Sequence, residues 1–168
     1  MPLVQDGGFY NVHADTQGNL WLADQHNGKL WRLDASDSGI KVYRVHEYPF
    51  DALPDATGGV WWLYGTSLNR LDSESAEILK WDFSLYLSDY ASFFGAAIDV
   101  SGKVWATDGS VNRAYRFVPS SGQFCGYTLP TNATGSYPAV SGAALWFGDF
   151  TNGQLIRIDS DLNTVTGW

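Results

Sequence analysis

The chain has 168 residues, of which 45% are hydrophobic, 15% aromatic and only 17% charged, and 18 acidic against 10 basic side chains give a formal net charge of −8. A chain of this size forms one domain that buries about 70% of its unfolded surface without needing a disulfide or a metal, and its composition excludes a disordered chain. The negative charge makes nucleic acid and anionic membrane surfaces poor partners.

The first predicted element is a strand at residues 9–13, and a turn and three further strands follow it. The turn reads Asp-x-x-Gly in DTQGNLW, from Asp15 to Trp21, where the aspartate can accept backbone N–H bonds and the glycine can adopt a positive φ. After the tryptophan strand come the arginine strand LWRLD, which ends at Asp34, and KVYRVHEY, which ends before Pro49. Runs of β-branched and aromatic residues between turn residues predict four short strands.

The same unit returns three more times along the chain. Its turn reads DATGGVW, DVSGKVW and, in a degenerate form, AVSGAALW, so that the tryptophans recur 40, 44 and 41 residues apart. These tryptophans are Trp21, Trp61, Trp105 and Trp146. An arginine strand follows each of them by 9 to 11 residues and contains Arg32, Arg70, Arg116 or Arg157. No helical periodicity competes with this pattern.

Units of four strands and about 40 to 45 residues are typical of β-propeller blades. We therefore predict an all-β propeller in a single domain, residues 1–168, with four blades of antiparallel strands at about 9–49, 50–88, 92–130 and 135–168. Residues 1–8 could complete the last blade. Three arrangements stay open: the four blades close by themselves, a second copy completes the ring, or the chain is a piece of a larger propeller.

The stretches DTQGNLWLAD and DATGGVWWLYGTSLNRLD resemble blades of the streptogramin (virginiamycin B) lyase group, of the two-component-regulator propeller repeats and of the related NHL-type propellers. The resemblance runs from about Phe9 to Trp168 and implies the propeller fold. It leaves the activity open, because repeats of this kind serve lyases, lactonases, sensor domains and adhesion modules alike.

The resemblance to lyases implies one candidate catalytic group. Streptogramin lyases carry a Glu-x-His step shortly after a blade tryptophan, together with a histidine of a neighbouring blade and a magnesium ion, and they eliminate a ring ester. In this chain Asp24 and His26 occupy that register after Trp21, with Asp in place of Glu. His13, on the innermost strand of the first blade, is the third candidate. Such an enzyme would be a C–O lyase or lactone hydrolase with Mg²⁺ or Ca²⁺, although no cofactor is firmly predicted and no metal ligand is assigned.

A structural interpretation competes for Asp24. Asp108 and Asp149 lie at the same distance beyond their own tryptophans, and a repeated aspartate at a strand end is typical of turn capping. His26 has no counterpart in the other blades. It is therefore the more informative residue of the two.

Aromatic side chains provide the binding hypothesis. Four of the eight tryptophans are additional to the repeated positions, namely Trp31, Trp62, Trp81 and Trp168. Trp62 and Tyr64, near a loop mouth, are predicted to bind a ligand together with Asp108 and Asp149, since aromatic faces bind sugars or protein partners with a large contact area. Packing between blades is the alternative role for these aromatic residues.

The sequence thus predicts an acidic binding or assembly module that recognises a glycan, a protein or another copy of itself. Two alternatives stay open: a metal-dependent enzyme of lyase or lactonase type, and a purely structural scaffold that forms oligomers or filaments. A location outside the cytoplasm is expected, because Asn132 begins a glycosylation pattern, although the segment after Met1 lacks the features of a signal peptide. Cys125 is the single cysteine, which excludes an intramolecular disulfide.

Overall fold

The computed structural model describes residues 7–45, 47–87, 92–130, 133–161 and 163–168. These residues form sixteen β-strands and one 3₁₀ turn at Gln25–Asn27. The strands make four antiparallel sheets of four strands, and within every sheet the strands pair in chain order. The predicted all-β class and the four units of four strands are therefore confirmed.

The first two sheets lie in one compact unit that extends to Asp82, here called unit 1, and the last two lie in unit 2, which begins at Phe83. Blade 1 consists of β1 (Phe9–Ala14), β2 (Leu20–Asp24), β3 (Lys29–Leu33) and β4 (Ile40–Arg44). Blade 2 consists of β5 (Leu53–Pro54), β6 (Gly59–Tyr64), β7 (Ser67–Asp72) and β8 (Ile78–Asp82).

Unit 2 repeats this organisation. Blade 3 consists of β9 (Phe93–Ile98), β10 (Val104–Asp108), β11 (Arg113–Val118) and β12 (Gln123–Thr128). Blade 4 consists of β13 (Ala139–Ser141), β14 (Ala144–Asp149), β15 (Gln154–Asp159) and β16 (Thr164–Gly167). The blade tryptophan lies on the second strand in all four sheets.

The Asp-x-x-Gly turn before the tryptophan strand is built as its sequence predicts. In blade 2, Asp55 Oδ1 accepts the backbone N–H groups of Thr57 and Gly59, both at 2.8 Å. Gly58 takes a φ of 86°, which other residues rarely adopt. Asp55 Oδ2 accepts the indole N–H of Trp61 at 2.9 Å. Equivalent indole bonds join Asp15 to Trp21 and Asp99 to Trp105.

The arginine of the third strand completes this motif. Arg70 Nε donates to Asp55 Oδ2 at 2.8 Å, and the guanidinium carbon lies 5.9 Å from the centroid of the Trp61 ring. Burial alone would raise the pKa of Asp55, but the hydrogen bonds from Arg70 and from the N–H of Gly59 outweigh it and hold that pKa well below its usual value. Guanidinium–indole contacts of 5.5 to 5.9 Å recur at Arg32, Arg116 and Arg157.

An aromatic residue in the fourth strand, or directly after it in blade 4, packs against each blade tryptophan. The ring centroids lie 5.2 to 5.6 Å apart in the pairs Trp21–Tyr43, Trp61–Trp81, Trp105–Tyr127 and Trp146–Trp168. The aromatic residue always lies two positions beyond the strand partner of the arginine, as where Arg157 pairs with Thr166. Two of the additional tryptophans, Trp81 and Trp168, therefore belong to the repeat itself.

A hydrophobic core lies between the two blades of each unit. We call the sheet face that carries the blade tryptophan the tryptophan face, and the opposite one the reverse face. In unit 1 the tryptophan face of blade 1 packs against the reverse face of blade 2, with Trp21 and Leu30 near Val60, Trp62 and Leu71. In unit 2 blade 3 packs against blade 4 in the same way.

Some predictions fall on residues outside the described ranges. These are His46 of the predicted strand KVYRVHEY, Asn132 of the glycosylation pattern, and residues 1–6 of the segment predicted to complete the last blade. Phe9, the residue after that segment, begins β1 of blade 1. Within the described ranges, no helix is long and apolar enough to cross a membrane.

Candidate ligand-binding face

The turns between the second and third strands lie at one end of each sheet, which we call the loop face. In unit 1 this face also contains the connection from β4 to β5, because the N–H of Val45 donates to the carbonyl of Gly28 at 3.0 Å and the N–H of Phe50 donates to the carbonyl of Leu63 at 3.3 Å. The connection therefore lies along the loop ends of blades 1 and 2. Most of the residues singled out from the sequence lie at the loop faces.

The three repeated aspartates Asp24, Asp108 and Asp149 are buried at the end of the tryptophan strand, and Asp108 and Asp149 cap the turn that follows, whereas Asp24 accepts no backbone N–H of its turn. Asp24 accepts the side-chain amide of Asn27 at 3.0 Å, and Asp149 accepts the backbone N–H of Thr151 at 3.0 Å. Asp108 accepts two backbone N–H groups of its turn at 2.8 and 3.0 Å. These contacts direct all three carboxylates into the protein, away from a ligand that approaches from solvent.

The three catalytic candidates do not come together. His26 is exposed in the 3₁₀ turn and its ring lies over Gly8, where an added Cβ would come within 2.8 Å of the imidazole Cδ2. His13 lies opposite Trp21 in the β1–β2 pairing. Trp21 is three residues before Asp24 on the same strand, a separation of roughly 10 Å. His13 therefore occupies a different place from Asp24 and His26.

His13 pairs with the buried carboxylate of Asp51, which lies far from it in the sequence. Its Nε2 lies 2.9 Å from Asp51 Oδ1. Asp51 also accepts the N–H of Ala52 at 2.9 Å and the side-chain amide of Asn11 at 3.4 Å. A buried carboxylate that binds one imidazole nitrogen fixes the ring and leaves the other nitrogen for a proton or a ligand. Asp51 and His13 are 38 residues apart, and no motif marks them as a pair.

Across the described ranges, no group of three His, Cys, Asp or Glu side chains is arranged to hold a metal ion. The divalent cation implied by the resemblance to lyases requires several such ligands. The described residues therefore do not provide the set of ligands that such a cation needs.

The two predicted aromatic ligands lie in different environments. Trp62 is buried in the core of unit 1, so its ring is closed to a ligand. Tyr64 is 42% exposed at the end of β6, and its ring centroid lies 6.1 Å from that of Tyr48, which is 56% exposed. Tyr48 was missed because it belongs to the connection after β4 and has no repeated counterpart in the sequence.

A cleft of about 390 Å³ lies beside Tyr48, and Tyr64 adjoins it through its contact with the Tyr48 ring. It is lined by His26, Asn27, Gly28, Arg44, Glu47 and Tyr48. Its volume falls within the range of about 300–1,000 Å³ that is typical of small-molecule sites. The cleft thus combines an aromatic wall with imidazole, carboxamide and guanidinium groups that form hydrogen bonds. We call it the tyrosine cleft.

The tyrosine cleft has unbalanced positive charge. Glu47 is neutralised by Lys80, whose Nζ lies 2.6 Å from Glu47 Oε1, and this hydrogen bond raises the pKa of Lys80. Arg44 lines the cleft, and Lys29, which is not part of the lining, lies directly opposite it in the β3–β4 pairing. Among the residues that the structure describes, neither of these two cations has an acidic side chain within 4.0 Å. Like charges opposite each other on a sheet are destabilising.

Each unit also has an aromatic pair where its innermost strands begin. In unit 1 the rings of Tyr10 and Phe50 stack at 5.7 Å, and in unit 2 the rings of Phe94 and Tyr137 lie 5.2 Å apart. Phe150 is exposed in the turn after β14. Exposed aromatic rings are therefore found at the loop face of both units.

No family model and no curated protein matches the chain. Solved structures do. A streptogramin B lyase is 21% identical with a TM-score of 0.82 over 99% of this chain and 56% of the lyase chain. Virginiamycin B lyase from Staphylococcus aureus is 19% identical, with a TM-score of 0.83 over 100% of this chain and 57% of that chain. A chain of a nidogen/laminin complex is 14% identical, with a TM-score of 0.78 over 98% of this chain and 65% of that chain.

The chain is a β-propeller. The predicted resemblance to streptogramin lyases is confirmed at the level of the fold. This β-propeller spans little more than half the length of the lyase chains. The similar structures include both enzymes and a protein of a protein–protein complex, so the fold by itself does not select a function.

Proposed function

We propose that this β-propeller binds carbohydrate and that its site is the tyrosine cleft of unit 1. The observation that carries the proposal is the pair of exposed rings, Tyr48 and Tyr64, 6.1 Å apart beside a polar cleft of about 390 Å³. A tyrosine ring gives a sugar ring a large, rigid apolar surface, and its hydroxyl group stays in water.

The polar lining complements this surface. Sugar hydroxyl groups both donate and accept hydrogen bonds, and the side chains of His26, Asn27 and Arg44 offer both kinds of partner at the cleft wall. A few polar groups that fix orientation next to an apolar wall are typical of small-molecule sites. In this proposal His26 acts as a ligand-binding residue and not as a catalyst.

The local charge favours an acidic sugar. Lys29 and Arg44 lie side by side without an acidic partner among the described residues, in a chain whose net charge is −8. A uronate carboxylate would bind a guanidinium through charge-assisted hydrogen bonds. We therefore propose that uronate-containing oligosaccharides bind more tightly than neutral ones.

Isothermal titration calorimetry with uronate and neutral oligosaccharides tests this function. Truncation of either ring, Tyr48→Ala or Tyr64→Ala, is expected to weaken uronate binding at least roughly tenfold, a change of about 1.4 kcal/mol. Tyr86→Ala is the matched control, because Tyr86 is exposed and belongs to unit 2. If all three variants bind every sugar with equal affinity, the tyrosine cleft is not the binding site. If the chain binds a protein but no sugar, the proposed class of ligand is wrong.

A second candidate function, ester or lactone cleavage, is supported by His13 and Asp51. A buried aspartate that orients a partly exposed histidine is an arrangement that general bases use. In this alternative the free ring nitrogen of His13 removes a proton from water or from the substrate. An assay with a panel of lactones tests it: His13→Gln should abolish turnover, whereas His26→Gln should leave it unchanged. Turnover that survives in His13→Gln rules the candidate out.

A further inference from the structure

The contact between blades follows the same pattern in both units. In unit 1 the tryptophan-face residues Trp21, Leu30 and Tyr43 pack against the reverse face of blade 2. In unit 2 the equivalent residues Trp105, Ala114 and Tyr127 pack against the reverse face of blade 4, at Leu145, Phe147, Ile156 and Ile158. All of these residues on both faces are at most 6% exposed. The pairing of a tryptophan face with a reverse face is thus a repeated, tightly packed contact.

The tryptophan face of blade 4 is exposed at the same positions. Trp146, Leu155 and Trp168 are the equivalents of Trp105, Ala114 and Tyr127 in the blade register. Trp146 is only partly buried, Leu155 is 46% exposed and Trp168 is 61% exposed. This face has the composition of a packed face but lies in contact with solvent.

The reverse face of blade 1 is exposed as well. Leu20, Leu22, Trp31 and Leu33 are the equivalents of the four buried residues that blade 4 presents to blade 3. Each is exposed or only partly buried, and the neighbouring edge-strand residues Ile40 and Val42 are 51% and 42% exposed. A contiguous apolar sheet face of this kind marks an interaction surface.

We propose that a second copy of this chain covers these surfaces, with the tryptophan face of blade 4 in one copy packed against the reverse face of blade 1 in the next. The two exposed faces are the two kinds of face that already meet inside unit 1 and inside unit 2, so a second copy supplies the complementary surface. Such a head-to-tail contact is heterologous, and it forms a closed ring or an open filament. This inference is independent of the proposed carbohydrate site.

The mass in solution, measured by size-exclusion chromatography with light scattering, tests the contact. The wild-type chain is expected at twice its 18.5 kDa mass or at a higher multiple. A charge on either face, Val42→Glu or Leu155→Glu, is expected to give the 18.5 kDa monomer, because each substitution places a carboxylate in the apolar contact. Both positions are exposed, so the fold should persist, as circular dichroism would verify.

Mixing the two variants distinguishes the proposed contact from other forms of association. Val42→Glu retains an intact blade 4 face and Leu155→Glu retains an intact blade 1 face, so an equimolar mixture is expected to form a heterodimer through one native contact. Val100→Glu, on an exposed turn outside both faces, is the control and should associate like the wild type. A monomeric wild type, a variant that still associates with itself, or a mixture that stays monomeric would each overturn the proposal.

Discussion

Blades 3 and 4 of unit 2 contain the same three-residue stack but differ in its burial. In both, an arginine and a fourth-strand aromatic residue flank the blade tryptophan, with guanidinium–indole distances of 5.7 and 5.5 Å. Trp105 of blade 3 is fully buried, whereas Trp146 of blade 4 is partly exposed. The repeated sequence therefore determines the stack within a sheet, whereas packing against a neighbouring sheet determines how much of the stack is buried.

Replacing Trp105 and Trp146 by alanine should give the largest difference in stability between the two blades. Trp105→Ala is expected to cost about 4 kcal/mol of unfolding free energy, because it leaves a cavity in the core of unit 2. Trp146→Ala should cost only about 1 kcal/mol, since less apolar surface returns to water. Urea denaturation followed by circular dichroism measures both, in a Val42→Glu background that removes the proposed self-association. Equal costs would mean that a hidden contact covers blade 4.

The turns before the tryptophan strands of blades 3 and 4 differ as well. Asp99 in blade 3 is buried and accepts the N–H of Ser101 at 2.9 Å and the indole N–H of Trp105 at 3.2 Å. In blade 4, Ser141 pairs with Ala144 across a two-residue hairpin, and that shorter turn contains no aspartate. The degenerate sequence AVSGAALW is thus a different turn and not a weakened copy.

Asp99→Asn should therefore destabilise unit 2 by about 2 kcal/mol at neutral pH, because several donors lose a charged acceptor. Asp161→Asn is the matched control: it removes the same charge from an exposed residue and should cost less than about 0.5 kcal/mol. Urea denaturation at pH 7 compares the two. A cost for Asp99→Asn no larger than that of the control would contradict the role of this carboxylate.

The loss of stability caused by Asp99→Asn should depend on pH in a defined direction. Burial alone would raise the pKa of Asp99, but hydrogen bonds from Ser101 and Lys103 outweigh it and lower that pKa below 3.8. A lowered folded pKa means that the contribution to stability is present above pH 3.8 and disappears as the pH falls through the folded value. The cost of Asp99→Asn should therefore shrink in urea titrations below about pH 3.8. A cost that stays constant down to pH 2 would contradict the lowered pKa.

The fold could be predicted from the sequence because its determinants are local. Asp-x-x-Gly turns, the tryptophan strands and the arginines recur at nearly constant spacing, and hydrogen bonds in the structure connect them. The stacking partners on the fourth strand were missed because Tyr43, Trp81, Tyr127 and Trp168 differ in residue type and their connections differ in length. Their shared position becomes visible only once the strand register is known.

The candidate site was less predictable because it depends on contacts between distant segments. Both Trp62 and Tyr64 are predicted to bind a ligand, and the structure places Tyr64 exposed at the end of β6 but Trp62 in the core. Tyr48 and Glu47 lie in a connection without periodicity, and Asp51 lies 38 residues from its partner His13. Spacing rules detect repeats, whereas a cleft depends on which side chains the connections place next to each other.

Asp108 and Asp149, which cap the turns after the tryptophan strands of blades 3 and 4, differ in the direction of their pKa shifts. Burial raises the pKa of Asp108 despite its backbone hydrogen bonds. Burial also acts on Asp149, but the side-chain amide of Asn152, 2.7 Å from Oδ2, and the N–H of Thr134 outweigh it and lower that pKa. Val111 occupies in blade 3 the position of Asn152, three residues after the cap.

Replacing Val111 of blade 3 by asparagine, the residue found at this position in blade 4, should remove the difference between the two pKa shifts. Asp108 with a raised pKa costs stability at neutral pH, and the cost is relieved as the pH falls through its folded pKa towards 3.8. Val111→Asn would donate to the carboxylate, as Asn152 does, and is expected to stabilise unit 2 by about 1 kcal/mol at pH 7. Because the new bond favours the ionised carboxylate, the gain should fade in urea denaturation near pH 3. Val111→Leu serves as the control for side-chain size, and a gain that it reproduces, or one that persists at pH 3, would point to packing instead of the hydrogen bond.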